Sequence, residues 1–225
     1  MKAYNNDKKL KADLVAEALK HQKADEIIQG TYGDEDGWCA VGCTIKSYND
    51  KRGKTFNTND HSMYETELGI PRMLARLEDR LFEGMDLKDA KGFPVKFLRA
   101  VNVGADLSMV WTKFIIWLLI DEKDGVIKFA SPKGEVAIKN VAKLYLRKLA
   151  GDEPTRDEWR VAAAAAADAD AADAAADAAA AYAYAADADA ADAAAYAYAA
   201  YAADARETHY KTMANKLLEI LRGSK

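Results

Sequence analysis

Val110–Ile120 reads VWTKFIIWLLI, a run that is apolar on nearly every face of a 3.6-residue turn and is interrupted only by Thr112 and Lys113. A helix of that composition is buried on most of its sides. Its strongest part, Phe114–Ile120, is far shorter than the roughly 20 apolar residues needed to span a bilayer. The run therefore predicts the central helix of an all-α fold, and Asp106 stands where it could cap that helix.

Helical patterns flank it on both sides. From Asp7 onward, Leu10, Leu14, Val15, Ala18 and Leu19 recur at helical spacing, with Gly30 offering a stop after Ile27–Ile28 and a possible break near His21. Pro71 occupies a first-turn position, and Met73, Leu74, Leu77, Leu81 and Phe82 make one apolar face ending at Gly84. A shorter helix follows Pro94 through Phe97, Leu98 and Val101. Gly125–Ala130 reads as an extended link, and Gly134–Ala150 as an amphipathic helix through Val141, Leu144 and Tyr145. Thr155 and Glu158 match a capping box, in which hydroxyl and carboxylate satisfy the first free amides of a helix. Residues 30–62 are rich in Gly, Asn, Asp and Thr, so a loop or short hairpin is expected around the apolar island Trp38–Ile45.

Residues 162–205 are built from Ala, Asp and Tyr. Alanine is the strongest helix former, which predicts helix rather than disorder. The segment ADADAADAAA occurs at 167–176 and again at 186–195; a 19-residue offset turns the second copy by about one residue step on a continuous helix. Tyr182 and Tyr196, like Tyr184 and Tyr198, are 14 apart and return to one face. The expected organisation is a globular helical domain over 1–154 and an alanine-rich helical segment over 155–225 that ends in an amphipathic helix, with packed helices that turn somewhere within 156–222. A weak tendency to homo-oligomerise follows from such alanine faces.

The charge follows this division. The chain carries a net −4 from 32 basic and 36 acidic residues. Eight Asp and no basic residue lie in 161–205, so the rest is nearly balanced and no basic face for duplex nucleic acid is expected. The leading MKAYNNDKK has no signal-peptide pattern, and the two cysteines, Cys39 and Cys43, are too few for a disulfide framework. A cytoplasmic protein with no membrane partner is the expectation.

Chemistry concentrates in Asp36–Cys43 and just beyond. Cys39 follows a Gly-rich turn at a candidate helix start, where amide dipoles could favour a thiolate. With His61 as base and Asp60, Asn57 or Asn59 as orienter, it offers a cysteine-hydrolase alternative. Buried, inert cysteines are the commoner outcome. Cys39, Cys43 and His61 supply only three of the four ligands of a structural zinc, with His21 or His209 the candidates for a fourth, and no metal or other cofactor is expected. Arg72, Arg76 and Arg80 recur every fourth residue as a basic stripe. It is either a phosphate or carboxylate clamp, with Trp38 and Tyr64 to stack a base, or a solvated face neutralised by Glu78, Asp79 and Glu83.

The stretches GWCAVGCTI, YETELGIPRMLARLEDRLFEG and VGADLSMVW, with the Ala/Asp/Tyr tract, resemble an alanine-rich family of bacteriophage, prophage and bacterial proteins that carries no established catalytic residues. The tract is also similar in composition to proteins labelled as immunity proteins. The resemblance implies an accessory protein acting in a host cytoplasm. The leading expectation is a non-enzymatic counter-defence binder that sequesters a small anionic, nucleotide-like ligand through Trp38, Tyr64, Arg72 and Arg76. The alternatives are an inhibitor that blocks a host defence protein with its acidic helices and the Cys39 hydrolase.

Overall fold

The computed structural model describes residues 1–33, 36–168 and 206–225. Among them the fold is all-α. The helices are α1 (Lys8–Lys23), α2 (Ala40–Arg52), α3 (Ser62–Leu68), α4 (Arg72–Gly84), α5 (Leu87–Ala90), α6 (Phe93–Ala100), α7 (Val110–Ile120), α8 (Pro132–Leu149), α9 (Arg156–Asp168) and α10 (Arg206–Gly223). The one extended pairing among the described residues is an isolated parallel bridge between Ile27 and Trp38. No helix among the described residues is long and apolar enough to cross a membrane.

Several boundaries follow from local chemistry. Asp7 caps α1 by accepting the Leu10 amide at 2.9 Å. The helix stops at Lys23 rather than at Gly30, because the backbone of Glu26 and Ile28 is taken up in hydrogen bonds with Trp38. The apolar island Trp38–Ile45 is neither loop nor hairpin. It opens α2, whose residues from Ala40 to Ile45 are buried. α3 is a further helix that the sequence signals did not mark. Asp106 does not cap α7; its carboxylate accepts the Ser108 amide at 2.9 Å and closes a turn ahead of the helix. Gly125–Ala130 contains a 3-10 turn over Val126–Phe129 instead of an extended link.

The chain divides into two compact units, Met1–Ser108 with Met213–Lys225, and Met109–Thr212. The compositional division after residue 154 does not coincide with these limits, and residues 169–205 of the alanine-rich segment, with the ADADAADAAA copies and their tyrosines, lie outside the described residues. In the first unit α1 packs on α2 and α6, and α2 on α4. The start of the chain is held in by Tyr4, fully buried, whose hydroxyl donates to the Leu98 carbonyl at 2.7 Å. Residues far along the sequence complete the same unit: the Asp106 amide donates to the Lys225 carbonyl, and Asn102 Nδ2 to the carbonyls of Arg222 and Ser224.

In the second unit α7 packs on α8, and α8 on α9. Trp111, Phe114, Ile115, Leu118 and Leu119 are buried, as the composition of α7 requires. Trp159 of α9 meets Tyr145 of α8 edge to face, ring centroids 4.8 Å apart. The capping box forms: Thr155 N donates to Glu158 Oε2 at 2.7 Å and Glu158 N to Thr155 Oγ1 at 3.3 Å. An open groove between α8 and α9 is bordered by Lys143, Leu144, Arg147, Glu158 and Val161. Arg147 is already committed there to Asp152 and Glu158.

Candidate functional site

α4 separates two kinds of side chain by spacing alone. Leu74, Leu77, Leu81 and Phe82 form its buried apolar face. Arg72, Arg76 and Arg80 recur every fourth residue, and Asp79 and Glu83, also four apart, lie along the same edge. Against that edge the structure assembles the start of α2, the residue preceding α3 and residues 29–32.

In the loop ahead of α2, residues 29 and 30 are tied to α4 and the residue after it. Gln29 Nε2 donates to the carbonyls of Phe82 and Met85, and the Gly30 amide donates to Glu83 Oε2 at 2.9 Å. Gly42 lets the loop lie on the first turn of α2, since a Cβ there would stand 2.1 Å from the Tyr32 carbonyl oxygen. Trp38 is half-buried, with His21 at its edge and the Lys46 ammonium 5.9 Å from its ring centre.

Cys39 is the N-cap of α2, as its position after the Gly-rich turn suggested, and its Sγ accepts the Gly42 amide at 3.3 Å. Its surroundings are the reverse of those that activate a cysteine. Burial first, then the Asp79 carboxylate, push the thiol far above its usual range. Cys43 is pushed up to about 12 by burial and by Glu78. One ligand atom from each of Cys39, Asp79 and Glu83 lies within 4.8 Å of the other two.

His61 faces the same cluster. Its Nδ1 lies 3.0 Å from the Asn59 carbonyl oxygen, an acceptor, and its Nε2 lies 3.4 Å from Asp79 Oδ2. The backbone carbonyl of Asn59 thus orients the ring, while Asp60 is used in accepting from Ser62 and Asn57 in accepting the Asn59 amide. Tyr32, 42% exposed, stands edge-on to His61 at 5.7 Å.

The expected stacking partner Tyr64 is corrected by its position: it is fully buried, so its ring offers no surface to a ligand. Its hydroxyl is buried beside the carboxylate of Glu78, whose two oxygens are also enclosed. Burial raises the Glu78 carboxyl well above its ordinary range. The solvated acidic face expected around the arginine row is also absent in that form, because Glu78 and Asp79 are inside and Glu83 is half-buried and tied to Gly30. Arg72 and Arg76 remain half-buried on the edge of α4.

Cys39, His61, Asp79 and Glu83 are thereby brought together. Asp79 and Glu83 were overlooked as site residues because their spacing resembles that of any charged helix face. Comparison of the chain with protein-family models, with curated proteins and with solved structures finds no match.

Proposed function

We propose that the protein is a non-enzymatic binding protein that holds a small anionic, nucleotide-like ligand along the edge of α4. The observation that carries the reading is the sorting of charge on that helix: Glu78 and Asp79 turn inward while Arg72 and Arg76 stay half-exposed. Each guanidinium presents five donors, so it can grip a phosphate or carboxylate in addition to contacts within the chain. Trp38 would cover the ligand, with Tyr32 in place of Tyr64 as the exposed aromatic ring. Turnover is not part of the proposal, because the best nucleophile present, Cys39, is held as a protonated thiol beside carboxylates.

In the phage setting implied by the sequence resemblance, such a binder would deplete a nucleotide signal of host defence. Calorimetric titration with cyclic nucleotides and ADP-ribose-derived compounds tests the idea. Saturable binding is expected, weakened at least about tenfold by Arg76→Ala, which corresponds to roughly 1.4 kcal/mol. Absence of heat and of any thermal shift across that ligand set would sink it.

A further inference from the structure

We propose that Cys39, Asp79, Glu83 and His61 form a binding site for a divalent cation of the zinc class. Thiol, carboxylate and imidazole donors together match the mixed S, N and O sets that zinc accepts, whereas calcium and magnesium require oxygen ligands throughout. Three of the four donors already lie within 4.8 Å of one another. That spacing is within a small side-chain adjustment of the separations between ligands around a tetrahedral ion.

Two independent observations point into this cluster. Asp79 is nine-tenths buried, and its Oδ1 is enclosed without a hydrogen-bond partner. A buried carboxylate oxygen with no donor is rare, and a cation supplies what is missing. The second is the orientation of His61. Its Nδ1 is turned to the Asn59 carbonyl, and its Nε2 is aimed into the cluster, 3.4 Å from Asp79 Oδ2. A ring held by a backbone carbonyl on one nitrogen, with the other nitrogen beside a carboxylate, has the orientation usual for a metal-bound histidine.

The remaining contacts fit. The Gly30 amide holds the Glu83 carboxylate in place. Binding replaces the Cys39 S–H bond by a sulfur–metal bond, and the proton leaves to solvent. Thiolate and two carboxylates around a divalent ion leave one negative charge, which the positive charge of Arg80 offsets; that charge already acts on Glu83. The proposal does not rest on anion binding, and its test contains no nucleotide.

The full chain, freed of metal with a chelator, is titrated with Co2+ as a spectroscopic stand-in and then with Zn2+. Expected are saturable binding with a near-ultraviolet thiolate-to-cobalt charge-transfer band, displacement by Zn2+, and a rise in melting temperature with Zn2+. Cys39→Ser abolishes the band and the thermal shift, Cys43→Ser keeps both, and Glu83→Gln weakens Co2+ binding at least about tenfold while leaving the metal-free melt unchanged. The proposal is overturned if wild-type chain gives no band and no Zn2+ shift, if Co2+ binds without the band, or if the band survives Cys39→Ser. Loss of the band in Cys43→Ser with retention in Cys39→Ser overturns it equally.

Discussion

Glu78 couples the stability of the fold to pH. Its carboxyl is enclosed beside the Tyr64 hydroxyl, and burial raises its pKa in the folded chain. The folded state therefore holds a proton that the unfolded chain gives up. The stability this contributes is complete below the unfolded value of 4.5 and is lost as pH rises from there toward the raised folded value, by up to about 1.4 kcal/mol per pH unit. Glu78→Gln is expected to flatten that slope in urea melts taken from pH 5 to 8; an unchanged slope would show that another group carries it. The two thiols make a second expectation. With both raised by burial and nearby carboxylates, alkylation of Cys39 and Cys43 in the metal-free native chain should be at least roughly 100-fold slower than in urea, because the thiolate is the reacting species. Residue types were legible in the sequence here, but environment was not. Nothing near Glu78 in the chain distinguishes it from Glu83, since burial is set by which face of α4 meets α2.

At the level of elements, the capping box of α9 was legible because capping depends on neighbours in sequence. Thr155 and Glu158 exchange the hydrogen bonds their spacing predicts, and Arg147 of α8 adds a contact to Glu158 Oε1 at 2.5 Å. Thr155→Ala should destabilise the second unit by about 1 kcal/mol. The Arg147 hydrogen bond and those from Thr155 hold the Glu158 carboxyl down at about 2. That contribution is present above 4.5 and disappears as pH falls toward 2, so the Thr155→Ala deficit should shrink in acid when followed by circular dichroism. The α8–α9 contact depends more on packing. Trp159 is buried against Tyr145, and Trp159→Ala is expected to cost about 3–5 kcal/mol, measured as a shift of the urea midpoint. Boundaries that depend on distant partners were misread. α1 stops early because Trp38 captures the backbone after it, and Asp106 serves a turn because Ser108 offers the nearer amide.

For the whole molecule, the first unit is closed by residues more than 100 positions away from its own last helix. Leu217 and Leu221 are fully buried, and Asn102 and Asp106 bind the carbonyls of Arg222, Ser224 and Lys225. Leu217→Ala should therefore lower the stability of that unit by about 2–5 kcal/mol. The measurement is amide hydrogen exchange, with loss of protection expected at the Asp106 amide, which donates to the Lys225 carbonyl, and beyond it in the first unit; protection lost only within α10 would show that the unit does not unfold as one. What the sequence determined by itself was the all-α class, the buried α7, the course of α4 and the cap of α9, because apolar periodicity and capping act over three or four residues. What only the tertiary structure decided was the sorting of α4's charges, the enclosure of Tyr64, and the meeting of Cys39, His61, Asp79 and Glu83. Their separation along the chain leaves no local signal, and helix packing alone brings them within reach.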